Sequence, residues 1–244
     1  MNIIKNPINF KTVIIDEKEV LIPEDWNIYL SKNILSYNTG FTPNTRNNDY
    51  YNNGSDVWVN ISDMKQKIIM DSHKKINGSF FPKKKKTKKG NLLFSFKLTV
   101  GKIAFAGQDL YTNEAIWSFN EKCQIQLSYL YYYLPFCFYD NKHKNIYGAE
   151  TLNQDILDNK YFILPTSKEE RDVIANYLDD IEENFLLSKR AVELLELKLK
   201  YYSNELMTGR LRFDDNGKLI KNNKWKTVII DEKEVLIPED WNIY

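Results

Sequence analysis

Lysine is the residue whose placement first suggests chemistry. Between Lys65 and Lys102 there are twelve lysines and one acid, Asp71, and the densest run is KKKKTKK over Lys83–Lys89. Between Glu169 and Glu196 acids outnumber bases instead. The total hides this segregation, because the formal net charge of the 244 residues is only +1. A cationic patch with an acidic segment elsewhere in the chain suits a polyanion. Ammonium groups hold phosphates by displacing counterions, with little regard for base sequence. Lys83, Lys84, Lys85, Lys86, Lys88, Lys89, Lys97 and Lys102 are therefore the candidate phosphate contacts. The plain alternative for the run is a solvated surface loop.

Reading bases needs side chains with paired donors and acceptors on loops that reach a groove. Asn44, Thr45, Arg46, Asn60, Ser62, Asp63, Gln108, Asp109, Asn113 and His143 have that character and lie in loop-like sequence. Taken singly, each is more readily a turn or capping residue than a base contact. Catalytic constellations are thin. The two histidines, His73 and His143, show no HExxH spacing and have no Ser/Asp pairing nearby. Neither GxxxxGK[ST] nor GxGxxG occurs, and Val100-Gly101-Lys102 lacks the upstream glycine and following hydroxyl of a phosphate loop. Methyltransferase tetrapeptides of the Asp-Pro-Pro-Tyr or Asn-Pro-Pro-Tyr kind are missing. Asp179, Asp180, Glu182 and Glu183 read as solvent-face acids rather than a metal site. The expectation is a non-catalytic chain with no metal or cofactor of its own.

The elements that must position these residues fall into two textures. Hydrophobic content of 43% with 14% aromatic excludes a disordered chain. From about 30 to 165, short apolar or alternating runs such as Val57–Val59, Leu92–Phe96 and Lys102–Phe105 alternate with turn signals at Asn53-Gly54, Asn77-Gly78 and Lys89-Gly90. A helix is expected over about Gln124–Phe138. This is the pattern of a compact α+β domain. No apolar stretch approaches the roughly 20 residues of a membrane span, and the segment MNIIKNPINF lacks the apolar run of a secretory signal. Cys123 and Cys137 suggest no disulfide framework and fit a reducing cytoplasm.

From Ser167 the period changes. Ser167 or Thr166 can cap a helix, Glu169 and Glu170 suit its dipole, and Glu170 is placed for a capping box. Ile174, Leu178, Ile181, Phe185, Val192, Leu195, Leu199, Tyr202 and Leu206 then recur in alternating steps of four and three, with Ser188 the one polar member. That is a coiled-coil seam. No Pro or Gly interrupts it before Gly209, a suitable residue to end it. About 40 residues make a rod of roughly 60 Å. Such a seam needs cover, and a second copy of the chain is the expected partner, the alternative being a helix folded back on its own globular domain.

The chain also repeats itself. Residues 10–29, FKTVIIDEKEVLIPEDWNIY, return at 225–244 with only Phe10 replaced, by Trp225. The parent arrangement is thus expected to be a tandem of two units.

In order along the chain, these segments resemble the specificity subunits of type I restriction-modification systems. Ile22-Pro23-Glu24-Asp25-Trp26 resembles that family's IPxxW, and Thr39-Gly40-Phe41-Thr42-Pro43-Asn44-Thr45 its GGTPS loop. Asp56–Met64 is similar to DIPWIxxxDL, and Leu98-Thr99-Val100-Gly101-Lys102 to GTIGK with Leu98 in place of glycine. Asn113–Ile116 is similar to NQAI; Ile163–Thr166 with Glu169-Glu170-Arg171 resembles PLPPLxEQ, Arg171 standing where Gln is common. Glu205–Phe213 is close to LLTGKxRF.

The resemblance covers about residues 20–215. It implies an N-terminal segment 1–29, a target-recognition domain 30–165, a coiled-coil spacer and dimerisation helix 166–213, and a linker with truncated repeat 214–244. The family usually carries two recognition domains and two antiparallel spacer helices. One of each implies a homodimer that reads double-stranded DNA as two inverted half-sites. It also implies adenine methyltransferase and restriction subunits as partners, with S-adenosylmethionine, ATP and magnesium belonging to them. The substitution at Leu98 puts the glycine-type loop in question. Two other readings compete: an orphan or decoy half-subunit, and a coiled-coil scaffold whose lysines bind another polyanion.

Overall fold

A computed structural model of the chain describes residues 9–138 and 152–243. It divides into two compact units, at Leu178 and Asp179.

The first unit opens with the hairpin β1 (Phe10–Ile15) and β2 (Lys18–Pro23). Asp16 and Glu17 turn it with φ of 47° and 62°, the left-handed sense that matches strand twist in two-residue turns. Then come β3 (Trp26–Leu30), α1 (Ser31–Ile34), β4 (Tyr37–Thr39), β5 (Asp56–Val59), β6 (Ile68–Ile69) and β7 (Lys74–Ile76). They are followed by β8 (Leu92–Ser95), β9 (Ile103–Ala106), β10 (Tyr111–Thr112), β11 (Ile116–Phe119), α2 (Leu127–Phe138), α3 (Gln154–Asp158) and β12 (Tyr161–Pro165). One sheet has the order β4-β11-β8-β9-β6, a second β10-β5-β7, and β3 pairs with β12 alone.

The three expected strands appear as β5, β8 and β9. β8 and β11 are buried at every position, which is why they read as continuous runs rather than alternating ones. Around them lies the main core of Leu92, Phe94, Phe96, Trp117, Phe119, Leu130, Leu134 and Phe162. Phe96 stacks on Trp117 with ring centroids 4.1 Å apart. The helix expected from Gln124 begins at Leu127 instead. Gln126 is engaged elsewhere: its amide donates to the Lys168 carbonyl and the Asp172 carboxylate, both at 3.0 Å. The 29/30 division drawn from the sequence falls inside β3, whose register pairs Leu30 with Tyr161 and Trp26 with Pro165.

Leu98 resolves the question its sequence raised. It sits at φ +65° and is 77% exposed. The backbone thus keeps the left-handed turn of a glycine, and the loop is closed by the Ser95 hydroxyl, which accepts from Lys102 N at 2.9 Å. A left-handed leucine costs about 1–2 kcal/mol, partly offset by glycine's greater unfolded freedom. Leu98→Gly is expected to raise stability by about 0.5–1 kcal/mol in urea denaturation.

The long helix α4 spans Lys168–Met207. The Ser167 hydroxyl caps it, accepting from Glu170 N at 3.1 Å. The Glu170 carboxylate, placed for a capping box by its spacing, accepts from the Trp26 indole N–H at 3.2 Å. Arg171 is the buried charge here, 7% exposed. Its guanidinium donates to the Gln126 side chain at 2.9 Å and to the Pro165 and Thr166 carbonyls at 2.6 and 3.0 Å. It therefore joins β12, α2 and the first turn of α4. Truncating it leaves three acceptors without their donor, so Arg171→Ala is expected to cost about 3 kcal/mol, read by chemical denaturation.

The second unit holds the rest of α4, then β13 (Leu211–Phe213), β14 (Leu219–Lys221), β15 (Trp225–Ile230) and β16 (Lys233–Pro238). The segment drawn as 166–213 is thus helical only to Met207, since Gly209 takes φ +72° and ends the helix as expected. The repeat folds into the same hairpin twice. Phe10 pairs with Pro23 and Ile15 with Lys18; Trp225 pairs with Pro238 and Ile230 with Lys233. The second turn, Asp231-Glu232, has φ of 49° and 62°. No helix among the described residues is long and apolar enough to cross a membrane.

Candidate nucleic-acid interface

The polar loops of the first unit hang on a small aromatic core. Trp58, Ile76 and Tyr111 are buried there, with Phe41, Tyr51 and Phe81 packed against them. The Trp58 indole donates to the Phe41 carbonyl at 2.9 Å, and Phe41 N donates to the Thr112 carbonyl at 2.9 Å. Gly40 is required at this approach: a Cβ would lie 2.0 Å from the Thr112 oxygen. Phe41 meets Phe81 with ring centroids at 4.8 Å, and Tyr50 meets Phe81 at 5.1 Å. These rings clasp the loop carrying Asn44, Thr45 and Arg46 to the loop carrying the lysine run. The structure thereby brings together two segments that the sequence separates by some forty residues.

Within the run the lysines divide by partner. Lys83, Lys84 and Lys85 form an exposed turn. Lys85 reaches the Thr39 carbonyl at 3.4 Å, and Lys89 is exposed. Thr87 pins the run to the scaffold through a bridge to Leu110. Lys86 is different. Its ammonium lies 2.5 Å from Asp56 and 5.5 Å from the centre of the Tyr111 ring. Hydrogen bonding to Asp56 raises its pKa, against the opposing effect of burial. Asp56 also accepts from Gly78 N at 3.0 Å, so this pair holds the start of β5 to the turn after β7. Lys88 pairs with Asp109 at 2.7 Å, and that hydrogen bond lowers the carboxyl's pKa. Lys97 lies over the Phe96 ring at 5.3 Å. Lys102 donates to the Ile61 carbonyl at 3.0 Å. Lys86 and Lys102 thus act inside the fold and exposed Lys88 is paired with Asp109, which leaves Lys83, Lys84, Lys85 and Lys89 as the outward cations of the run without a carboxylate partner.

The polar candidates divide likewise. Asn60 and Asp63 form a capping box around a short 3-10 turn. The Asn113 amide donates to the Asn60 side chain at 3.3 Å while its oxygen accepts from Ala115 N at 3.1 Å. Asn44 accepts from Arg46 N at 3.0 Å in a local turn, and Gln108 donates to the Met70 carbonyl. Thr45, Arg46 and Ser62 are exposed and stand outside these scaffold contacts. His143 lies outside the described residues. Among the described residues there is no cluster of three or more His, Cys, Asp or Glu placed to hold a metal ion.

On α4 the seam begins inside the first unit. Ile174 packs against the main core, and with Leu178 it lines an apolar groove with Tyr129, Tyr132, Tyr133 and Phe136. Further along, Ile181 is 48% exposed, Phe185 66%, Val192 54%, Leu195 64% and Leu199 69%. Tyr202 and Leu206 are half-buried. A second apolar row, Leu187, Leu194 and Tyr201, is also exposed. At 3.6 residues per turn it lies roughly 130° around the helix from the seam. Sequence reading passed over this row, although its spacing of seven was present to be found. Arg171 and the aromatic clasp were also missed: the first has no periodic signature, and the second joins loops distant in sequence.

Comparison with known proteins yields a family model, the type I restriction modification DNA specificity domain, matching residues 23–197. A curated relative, the type I restriction enzyme MjaIX specificity subunit of Methanocaldococcus jannaschii, is 25% identical over 240 residues, covering 91% of this chain and 51% of the relative. The chain thus spans about half the length of that relative. Two solved chains share the fold. One, from work on complex assembly and conformational transition of the type I R-M system, has a TM-score of 0.60 at 19% identity and covers 74% of this chain and 44% of that one. The other, the HsdS subunit from Thermoanaerobacter tengcongensis, has a TM-score of 0.54 at 20% identity and covers 70% and 40%.

Proposed function

This chain belongs to the type I restriction-modification DNA specificity domain family, and we propose that it is a non-catalytic subunit that works as a homodimer reading two inverted copies of one DNA half-site. The observation that carries the dimer is the exposed seam from Ile181 to Leu199. Water disfavours so long an apolar stripe, and a second α4 laid antiparallel covers it. Two identical heads related by a two-fold axis then meet a sequence and its inverted repeat at a separation set by the helices.

Each head contributes two kinds of contact. Lys83, Lys84, Lys85 and Lys89 hold phosphates. Arg46, with Thr45 and Ser62, is offered to base edges; a guanidinium can bond both acceptors of guanine in the major groove. The second row on α4 supports a further role as a scaffold. Adenine methyltransferase subunits dock along it and the restriction subunits join to them, in the cytoplasm. S-adenosylmethionine, ATP and magnesium serve those partners.

Methylome mapping of cells that express this chain with its candidate methyltransferase tests the reading. The expected result is a bipartite motif whose halves are inverted copies across a fixed gap. An asymmetric motif would overturn the homodimer. Salt-sensitive DNA binding without any preferred sequence would favour a general polyanion scaffold instead.

A further inference from the structure

We infer that the C-terminal repeat occupies, in its own chain, a seat at the end of α4 that the N-terminal hairpin of a second copy would otherwise take. The inference rests on the antiparallel dimer proposed above. It starts from one peptide held in two ways.

The seat lies in the second unit. Gly209 is left-handed, and a Cβ there would stand 2.3 Å from Pro238 Cγ and 3.2 Å from Trp241 Cζ2. Pro238 is buried, and Asp240 pairs with Arg212 at 2.6 Å. The seated segment is Pro238-Glu239-Asp240-Trp241. The N-terminal copy carries the same four residues as Pro23-Glu24-Asp25-Trp26. That copy is held at the other end of α4. The Trp26 indole donates to Glu170, and the Asp25 carbonyl accepts from Thr166 Oγ1 at 2.7 Å. Asp25 itself is exposed, and so are Phe10, Ile14 and Leu21 of its hairpin.

In an antiparallel pair the first turn of one helix lies beside the last turn of the other. The partner's N-terminal copy, fixed by Trp26 to its own first turn, is then the element nearest to the Gly209–Arg212 seat. Its Pro23-Glu24-Asp25-Trp26 matches the seated segment residue for residue, so the same proline-on-glycine contact and the same Asp–Arg pair fit. The tail claims the seat in cis at the high effective concentration of a tether. It thereby acts as a built-in competitor that weakens the dimer, and dislodging it strengthens association.

The test uses the full chain carrying Arg212→Lys, mixed from light and heavy-nitrogen preparations, with a carbodiimide that joins touching ammonium and carboxylate groups. Position 212 is expected to link to Asp240 within one chain. Adding Asp240→Lys places like charges together and frees the seat. Both side chains are partly exposed, at 38% and 58%, so these changes leave the core intact. Links between position 212 and Asp25 of the other isotope should then rise at least tenfold, and the dimer dissociation constant should fall severalfold. Adding Asp25→Asn should remove the new link. A dimer that persists in sedimentation without that link overturns the inference and leaves the dimer standing. Loss of the dimer on freeing the tail also overturns it. A chain that sediments as a monomer at every concentration, with the seat freed as well as in the parent, overturns the dimer reading, and the inference with it.

Discussion

Replacing Phe185 and Leu195 together with glutamate is expected to convert the dimer into a monomer whose head remains folded. Each side chain gains about 2 kcal/mol on leaving water. A two-fold interface counts every substitution twice, so the pair removes roughly 8 kcal/mol of burial. Allowing half of that for local rearrangement still weakens association about a thousandfold. Sedimentation across a concentration series reads the change. Both residues are well exposed within one chain, at 66% and 64%, so their loss should leave the melting of the first unit where it was. A fall in that melting temperature would mean that the seam serves the chain's own fold.

The other large effect lies in the lysine run. Changing Lys83, Lys84 and Lys89 together to alanine is expected to flatten the dependence of log K on log salt by about 5.4, from 0.9 per phosphate contact and three contacts on each of two heads. At about 0.1 M salt each contact then accounts for nearly tenfold, and the triple variant, which removes six contacts from the dimer, should bind DNA roughly 10⁵-fold more weakly. The loss should be equal for cognate and unrelated sequences. An unchanged slope would remove the run from the interface. Lys86→Met is the contrast within the same four-lysine string. It leaves Asp56 with only the Gly78 N–H and no cation, and should cost about 2 kcal/mol of stability. The parent chain should also lose this contribution in alkali. The Asp56 bond raises the folded pKa above the ordinary lysine value of 10.5. The contribution is therefore whole below that value and declines as the pH climbs through the raised one.

That contrast shows where sequence reading loses its grip. Four adjacent lysines look alike on paper, and Lys86 differs only because Asp56, thirty residues earlier, lies 2.5 Å from it. Asn60, Asp63 and Asn113 have the donors and acceptors of base readers, yet the fold uses them to close its own turns. Composition reports what a side chain can bond, and only proximity decides which bond it makes. Periodicity fared better. The long helix expected within 166–213 is present over Lys168–Met207, because its pattern, its serine cap and its terminating glycine are local signals. Leu98 lies between these cases. The residue type argued against a left-handed turn, and the surrounding loop imposes one all the same.

The repeat separates the two levels most cleanly. Nineteen shared residues of twenty make one hairpin twice, with the same pairing and the same left-handed Asp-Glu turn. Alternation and turn geometry suffice for that, since every contact involved lies within the peptide. What the hairpin rests upon is another matter. Ile22 is 2% exposed and its counterpart Ile237 only half-buried, whereas Pro238 is buried and Pro23 half-buried. Trp26 enters a strand against β12, and Trp241 lies by Gly209. Identical segments meet different neighbours, and a docking contact depends on the chemistry of both surfaces. Only one of those surfaces is written in the segment itself.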